Sequence, residues 1–474
     1  MINIDDFKSC EKAIRFFEEF SKIPHGSSNT SMIADYLVNF AKQRGLEYTR
    51  DSADNVVIKK PATKGYEGRP AIIFQGHLDM VAEKKPGAAV DMEKEGLTLY
   101  RDGDFLKAKD TTLGGDDGVA LAYALAVLDS DDIPHPDFEA VFTSDEEIGL
   151  LGAVALSAEA VKGRLLINID SDAEGIFTVG CAGGMRSDIS LPVHRNNSSD
   201  ETYILKVSGF KGGHSGVEID KGRVNATKVL VEILSGIGDI SIKEIHGGNA
   251  DNAIPRECEC TFACHYDHTH LIEHLGEDIK ERYKDIEPDI QISIQKADDA
   301  TAGISVKDSS TLISLLSTLP SGIIAMSSDI EGLVETSLNM GILKTFTDRV
   351  EVSFSVRSAK GADKRDLGNR LCEIAKAHGA AYSERGEYPA WEYKKDSHLR
   401  DVMKKVYEDT YGKSPEIVII HAGLECGIFT EKFPGIDCVS IGPDNFDIHT
   451  TEERLSLSSF ARVWEFLKLV LKEI

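Results

Sequence analysis

Aromatic and basic residues are scarce in this sequence. Phe, Trp and Tyr make up 7% of its 474 residues, and 53 Lys and Arg stand against 79 Asp and Glu, for a net charge of −26. Nucleic-acid binding needs a basic face and aromatic stacking platforms, and anionic membrane surfaces also need a basic face. We therefore expect neither nucleic acid nor a membrane as a partner.

Long apolar runs and dense cysteines are also missing. No uninterrupted apolar run reaches the roughly 18 residues of a membrane span. The N-terminus lacks the basic segment and apolar stretch of a secretory signal. Eight cysteines are scattered along a long chain, which is not the spacing of a disulfide framework. These features predict reduced thiols in a cytoplasmic protein.

The pattern that is present predicts an α/β fold. Apolar residues make up 41% of the chain, and its length predicts two domains. Residues 10–20, 29–44 and 118–128 have helical spacing, and short apolar runs at 56–58, 71–74, 139–142 and 165–169 read as strands. Alternating strands and helices indicate a mixed, largely parallel sheet.

The middle of the chain has a different pattern, typical of an α+β domain with half-exposed strands. The α/β pattern returns after about residue 390, with helices at 397–411 and 456–472 and strands at 416–420 and 436–441. Two organisations fit: three consecutive domains, or one discontinuous domain with an insertion. The chemistry described next favours the second, with a catalytic α/β domain formed by residues 1–184 and 391–474 and an inserted α+β domain at 185–390.

Acidic and histidine residues cluster in five places, most of them directly after an apolar strand. The clusters are His77-Leu-Asp79, Asp116-Asp117, Asp145-Glu146-Glu147, Asp170-Ser-Asp172 and the segment ending in His449. Ligands of open α/β sheets bind beyond the carboxyl ends of the strands, so these clusters are expected to converge. Any one of them alone would be ordinary solvated surface. Together, imidazole and carboxylate ligands predict a site for zinc, with manganese and cobalt as alternatives.

Longer motifs surround these clusters and run over nearly the whole chain. They resemble those of the dinuclear zinc hydrolases of the glutamate carboxypeptidase–aminoacylase superfamily, and most closely its cytosolic non-specific, or aminoacyl-histidine, dipeptidases. The matching segments are Ile23-Pro-His-Gly-Ser27, Gly76-His-Leu-Asp-Met-Val81, Thr112-Leu-Gly-Gly-Asp-Asp-Gly118, Thr143-Ser-Asp-Glu-Glu-Ile-Gly149, Asn168-Ile-Asp-Ser-Asp-Ala-Glu-Gly175, Gly212-Gly-His-Ser-Gly216 and His421-Ala-Gly-Leu-Glu-Cys-Gly427.

The resemblance implies a role for each residue of the metal site. His77 and Asp170 would bind one ion, Glu147 and His449 the other, and Asp116 would bridge the two. Glu146 would be the general base, and Asp79 would orient His77. Relatives commonly have Ala-Asp-Asn-Gly where this chain has Gly115-Asp116-Asp117-Gly118, and of the two aspartates Asp116 is kept as the bridging residue. The resemblance also implies a cis peptide bond between these two residues.

Four further residues, in the insertion and the C-terminal segment, are implied to act on the substrate. His214 would stabilise the developing oxyanion, and Arg357 would pair with the substrate carboxylate. Asn252 and Gly423 would help to hold the substrate. The inserted domain would close on the substrate as a lid and would form a homodimer.

The predicted function is hydrolysis of unblocked dipeptides, including Xaa-His dipeptides, by water activated at two divalent metal ions. The alternatives are a related deacylase or carboxypeptidase acting on N-acyl amino acids, and a metal-binding protein without catalysis. A rival site is the inverted zinc-protease motif His270-Leu-Ile-Glu273-His274. Its charged surroundings favour a solvated helix face, and Cys258, Cys260 and Cys264 on one face of a strand read as core residues.

Overall fold

The computed structural model describes residues 4–328, 330 and 332–474. The chain forms two compact units. The terminal unit consists of Met1–Cys181, Tyr393–Ile419 and Leu424–Ile474, and the central unit consists of Ala182–Glu392 and Ile420–Gly423. Within the described residues, no helix combines the length and the apolar character that a membrane span requires.

The first part of the terminal unit alternates helices and strands. Its helices are α1 (Glu11–Phe20), α2 (Ser31–Arg44), α3 (Gly115–Leu128) and α4 (Leu151–Ala155), and a 3-10 helix at Asp5–Cys10 precedes them. Its strands are β1 (Glu47–Arg50), β2 (Val56–Lys60), β3 (Ile72–His77), β4 (Leu99–Asp102), β5 (Phe105–Ala108), β6 (Phe138–Thr143), β7 (Leu165–Asn168) and β8 (Ile176–Cys181).

The central unit is richer in strands. Its strands are β9 (Gly183–Pro192), β10 (Arg195–Asn196), β11 (Glu201–Ser208), β12 (Gly213–His214), β13 (Ile240–Gly247), β14 (Ala253–Ile254), β15 (Cys258–Cys264), β16 (Gln291–Ala297), β17 (Gly303–Ile304), β18 (Gly322–Met326), β19 (Val334–Thr345), β20 (Arg349–Ser358) and β21 (Ala381–Tyr388). Its helices are α5 (Ala226–Ile237), α6 (Thr269–Tyr283), α7 (Val306–Thr318) and α8 (Gly361–Ala377), with a 3-10 helix at Ile219–Lys221.

The C-terminal part of the chain returns to alternating helices and strands. It contains α9 (His398–Tyr411), β22 (Glu416–Ile420), α10 (Glu425–Lys432), β23 (Asp437–Ser440), β24 (Asn445–Phe446), β25 (Arg454–Ser456) and α11 (Leu457–Glu473).

The main sheet of the terminal unit is mixed. Across the described residues its strand order is β1-β2-β6-β3-β7-β23-β8-β22. The pairs β6–β3, β3–β7 and β7–β23 are parallel, whereas β1–β2, β2–β6 and β23–β8 are antiparallel. Every residue of β3, β6 and β7 is buried, which explains their continuous apolar sequences. The predicted α/β class is confirmed, and parallel pairing is concentrated in the centre of the sheet.

Helix α3 packs in the core of the terminal unit. Its residues from Gly118 to Leu128 are all buried, as expected for a helix that is apolar on every side. A Cβ atom at Gly118 would lie 2.9 Å from the ring of Phe17, so glycine allows α1 to approach closely. Asp116 and Asp117 have non-helical dihedral angles and lie in the turn that leads into α3.

The central unit is built on an antiparallel sheet with the order β16-β11-β15-β13-β19-β20-β9-β21 and with β18 paired to β19, among the residues described. Helices α5, α7 and α8 contribute apolar side chains to its core. Cys258, Cys260 and Cys264 are buried on β15, as predicted. The prediction missed β19, a buried twelve-residue strand that contains Glu335, Thr336, Ser337 and Asn339. The sequence did not indicate this strand, because polar residues of this kind are typical of a loop.

Candidate active site

The ends of the central strands place the candidate ligands side by side. His77, the last residue of β3, lies opposite Thr143 at the end of β6, and Gln75 lies opposite Asn168 at the end of β7. Each strand then continues into an acidic loop, which carries Glu146 and Glu147 after β6. Neighbouring parallel strands end at one edge of a sheet, so their loops converge there.

The predicted ligands form three groups whose ligand atoms lie within 4.8 Å of one another. These groups are His77 with Asp116 and Asp170, Asp116 with Glu147 and His449, and His77 with Glu146 and Glu147. Asp116 belongs to two of the groups, so its two carboxylate oxygens face different sides. Asp116 Oδ1 lies 3.1 Å from His77 Nε2, and its Oδ2 lies 3.0 Å from His449 Nε2.

Asp116, predicted as the bridging residue, and its neighbour Asp117 have different surroundings. The Asp117 carboxylate is buried beneath β3 and accepts the backbone N–H of His77 at 3.2 Å. A Cβ atom at Gly76 would lie 2.2 Å from Asp117 Oδ2, so only glycine leaves room there. The peptide bond between the two aspartates is cis, as the resemblance implies. This geometry favours Asp116 as the residue that faces two groups.

The orientation of His77 fits a metal ligand. Its Nδ1 lies 2.8 Å from the backbone carbonyl oxygen of Asp79, which requires a proton on Nδ1. In the neutral ring, Nε2 therefore presents a lone pair toward the Asp116 and Asp170 carboxylates. A nitrogen lone pair repels carboxylate oxygens, and a cation bound between them would remove this repulsion.

Asp79, which is predicted to orient His77, also has contacts with a neighbouring loop. Its carboxylate lies 3.6 Å from His77 Nδ1, farther than the backbone carbonyl oxygen of the same residue. The same carboxylate accepts the backbone N–H groups of Glu146 at 3.0 Å and Glu147 at 3.4 Å, and the hydroxyl of Ser27 at 2.8 Å. Asp79 thus anchors the Glu146-Glu147 segment.

The second ligand group also fits a cation. His449 Nε2 lies 3.0 Å from both Asp116 Oδ2 and Glu147 Oε1. One N–H cannot serve both oxygens, and Glu147 Oε1 is buried without a hydrogen-bond partner among the described residues. An unpartnered buried carboxylate oxygen is costly, and a bound divalent ion would satisfy it.

The pKa values of the side chains in this site also favour a bound cation. Burial, followed by the Asp116 and Asp117 charges, raises the pKa of Asp170 well above its usual value. Burial, with the charges of neighbouring carboxylates, raises the pKa of Glu146 to about 8. The nearby Asp116 and Glu147 carboxylates raise the pKa of His449 to about 10. Without a bound cation, these closely spaced groups therefore retain protons that a divalent ion would displace.

A buried carboxyl group below this site was not singled out from the sequence. Glu425, the first residue of α10, is fully buried, and its Oε2 accepts hydrogen bonds from Gln75 Nε2 at 2.5 Å and from Thr143 Oγ1 at 2.7 Å. Its other oxygen has no hydrogen-bond partner within the described ranges of the chain. Its motif was noted, but neither spacing nor charge marked Glu425 as a neighbour of β3 and β6.

The central unit contains a second set of polar residues, beginning with His214 on β12. The ring Nδ1 accepts the backbone N–H groups of Gly216 at 3.1 Å and Val217 at 3.2 Å. Burial lowers the pKa of His214, and the charge of Arg357 lowers it further. His214 is therefore a neutral ring whose proton is on Nε2, which makes Nε2 a hydrogen-bond donor.

Arg357 lies on β20 and is largely buried. Its Nη1 donates to the Tyr388 hydroxyl at 3.1 Å, and its Nε is buried without a hydrogen-bond partner in the part of the chain that the structure describes. In the described ranges 4–328, 330 and 332–474, no carboxylate forms an ion pair with this guanidinium. Burial and then the Arg357 charge lower the pKa of His421 to about 4, and His421 Nε2 lies 2.7 Å from Ser337 Oγ. This environment has an unpaired positive charge and favours an anion.

The two remaining predicted residues also belong to the central unit. The backbone carbonyl of Asn252 accepts the N–H of Ser215 at 2.8 Å, which fixes the residue next to His214. A Cβ atom at Gly423 would lie 2.7 Å from the ring of Tyr388. Gly423 therefore allows Tyr388 to pack closely. Tyr388, His421 and Ser337 were not predicted as site residues, because single polar residues on strands carry no spacing signal.

The rival histidine motif lies on the surface. His270 and His274 are on the exposed face of α6, and His270 Nδ1 lies 3.5 Å from Glu273. In the part of the chain that the structure describes, none of the three ligand groups includes either histidine. The prediction of a solvated helix face agrees with this geometry.

Known proteins share this sequence and fold. The sequence pattern of peptidase family M20/M25/M40 matches residues 73–473. Cytosol non-specific dipeptidase of Escherichia coli is 36% identical over 467 residues, which cover 97% of this chain and 96% of that protein. The crystal structure of aminoacylhistidine dipeptidase from Vibrio alginolyticus superposes with a TM-score of 0.92 at 35% identity, covering 98% of this chain and 96% of that one. Aminopeptidase PepT from Bacillus cereus shares the fold at 17% identity, with a TM-score of 0.57 and coverage of 98% of each chain. The chain belongs to peptidase family M20/M25/M40 and is a metal-dependent hydrolase.

Proposed function

We propose that this protein is a dipeptidase that hydrolyses the peptide bond of unblocked dipeptides, including Xaa-His dipeptides. The observation that carries the proposal is that five candidate ligands fall into groups whose ligand atoms lie within 4.8 Å of one another, and that Glu146 shares one of these groups with His77 and Glu147. Nearly full-length similarity to two dipeptidases supports the substrate class. The relative from Escherichia coli is named a cytosol dipeptidase, which supports a cytoplasmic location for this protein.

We assign two divalent ions, with zinc as the first choice, to the two groups that share Asp116. His77 and Asp170 would bind one ion, and Glu147 and His449 the other. The donor set of imidazole nitrogens and carboxylate oxygens suits zinc, manganese or cobalt. Bound ions would polarise the peptide carbonyl and make water more acidic.

Glu146 acts as the general base in this proposal. It belongs to the ligand group with His77 and Glu147, while Asp79 holds its backbone. A carboxylate at this position can take a proton from the attacking water and return it to the leaving amine. Glu147, the next residue, would bind metal, so the two adjacent carboxylates would have different roles.

The central unit recognises the charged and polar parts of the substrate. The Nε2–H of His214 donates a hydrogen bond to the carbonyl oxygen as negative charge develops on it. The Arg357 guanidinium pairs with the C-terminal carboxylate of the dipeptide, because it is buried and lacks an acidic partner. Asn252 and Gly423 shape the same region, the first through its backbone and the second by admitting Tyr388.

Two further proposals concern the organisation of the chain. Residues 185–390 form an inserted lid that closes on the substrate, and they also form the contact surface of a homodimer. Light scattering coupled to size exclusion tests the dimer. A chain that elutes as a monomer at micromolar concentration would contradict it.

A dipeptide panel tests the proposed activity. Metal-stripped protein is reconstituted with zinc, manganese or cobalt and assayed with free dipeptides, Xaa-His dipeptides, and the same peptides blocked at the N-terminus. Hydrolysis of the free peptides alone supports a dipeptidase. Preference for N-acylated substrates would favour the related deacylase or carboxypeptidase, and no hydrolysis with any ion would contradict both.

A further inference from the structure

A second buried carboxylate lies four residues after His449. Glu453 is 3% exposed and accepts the backbone N–H groups of Leu113 at 2.7 Å, Gly114 at 3.0 Å and Gly115 at 2.8 Å. The N–H of Asp116 lies at 3.4 Å from the same carboxylate. Four successive amides of one loop thus point at a single side chain, and such a concave row of N–H groups favours an anion.

The residues around Glu453 also favour its contact with the loop. Asn445 Nδ2 donates to Glu453 Oε1 at 3.1 Å. A Cβ atom at Gly115 would lie 2.7 Å from the Asn445 side chain, so the loop can approach this closely only with glycine. None of the donors to Glu453 is a charged side chain, so Glu453 is not one half of a salt bridge among these contacts.

Glu453 connects two loops that each carry a candidate ligand. The loop it binds ends at Asp116, which faces both ligand groups, and Glu453 belongs to the segment that carries His449. His449 has a φ of 62° and Asp447 a φ of 53°, in the left-handed region that is uncommon for non-glycine residues, although Asp and His enter it more often than most. Such backbone persists only where neighbouring contacts hold it.

We propose that Glu453 is a positioning residue that sets the distance between Asp116 and His449 and thereby the affinity for the ion bound by Asp116, Glu147 and His449. This inference depends on the proposed function of those three residues as metal ligands. Hydrogen bonds behind a metal site typically change metal affinity by about 10–100-fold when removed. The other ion would be held by Asp116 together with His77, at the end of β3, and Asp170, two residues after β7, and neither His77 nor Asp170 belongs to the segment that Glu453 anchors.

Zinc titration of metal-free protein tests this proposal without relying on activity. Isothermal titration against a competing chelator resolves the two binding steps in the wild type and in Glu453→Gln, whose amide nitrogen cannot accept from the loop. We expect one step to weaken by about 10–100-fold and the other by much less. The control is Glu452→Gln, because Glu452 is exposed and pairs with Lys85 at 2.7 Å. It should bind both ions like the wild type.

His449→Ala separates this proposal from the proposed function. If His449→Ala weakens one step but Glu453→Gln leaves both unchanged, the positioning role is wrong and the metal site stands. If neither variant changes zinc binding, the metal-site assignment itself fails. Equal weakening of both steps in Glu453→Gln, together with a lower melting temperature of the metal-free protein, would mean a structural role only and would also overturn the proposal.

Glu453→Asp covers the case in which Glu453→Gln does not fold. It keeps the charge but shortens the side chain by one methylene, so it cannot reach all four amides. We expect an intermediate loss confined to the same step. Wild-type affinity at both steps in this variant would overturn the proposal.

Discussion

Replacing Arg357 by methionine removes a buried guanidinium but keeps an unbranched side chain of similar length. The guanidinium Nη1 contacts Tyr388, and Nε has no hydrogen-bond partner. If Arg357 pairs with the C-terminal carboxylate of a dipeptide, the methionine variant loses two charge-assisted hydrogen bonds. At about 1.5–3 kcal/mol for each bond, the loss is about 3–6 kcal/mol, or roughly 10²–10⁴-fold in kcat/KM.

The assay compares each dipeptide with its C-terminal amide, which lacks the carboxylate. We expect the wild type to prefer the free acid and Arg357→Met to lose most of that preference, with little change on the amide. Arg357→Lys is the matched control, because it keeps the charge without the planar fork, and it should retain part of the preference. Equal losses on acid and amide would refute the assignment of Arg357 to the carboxylate.

The same variant has a spectroscopic consequence in the central unit. Burial first, and then the positive charge of Arg357, hold the pKa of His421 at about 4. A neighbouring positive charge disfavours the imidazolium, so its removal in Arg357→Met should raise the pKa of His421. Proton NMR titration of the imidazole measures this change. An unchanged pKa would show that the guanidinium does not act on His421.

Three other substitutions test the remaining parts of the site. Glu146→Gln should retain both metal ions, measured by elemental analysis, but lose about 10²–10⁴-fold in turnover, and turnover near the wild-type rate would refute its role as the base. His77→Ala should abolish hydrolysis while His270→Ala leaves it unchanged, and the reverse result in the peptide assay would move the active site to α6. Burial raises the pKa of Glu425 from its ordinary 4.5 to about 7, so the folded state disfavours the carboxylate and loses about 3 kcal/mol of stability as pH rises from about 4.5 to 7. Glu425→Gln, which cannot ionise, should lack this loss in urea unfolding of the metal-free protein at pH 5 and pH 8, and parallel pH dependence in both proteins would contradict the shift.

The metal-ligand part of the site could be predicted from the sequence because it follows the sheet. His77, Glu146, Glu147 and Asp170 come at or just after the ends of buried apolar strands, and such runs are visible without a structure. Parallel neighbours then bring the following loops to one edge. The strand β19 was missed for the converse reason, since its buried polar residues are paired by neighbours that the sequence does not reveal.

The residues that hold the site in place were less visible, and the reason is physical. Glu453 was not singled out from the sequence, yet it binds four amides about 340 positions earlier in the chain. Backbone N–H groups are the same for every residue type, so their partner cannot be recognised from side-chain chemistry. A ligand is identified by its own chemical type, whereas a positioning residue is identified by what it contacts. The sequence therefore predicts the candidate metal ligands of this site more fully than the residues that hold them in position. The structure is needed to find Glu453, Glu425 and the backbone contacts of Asp79.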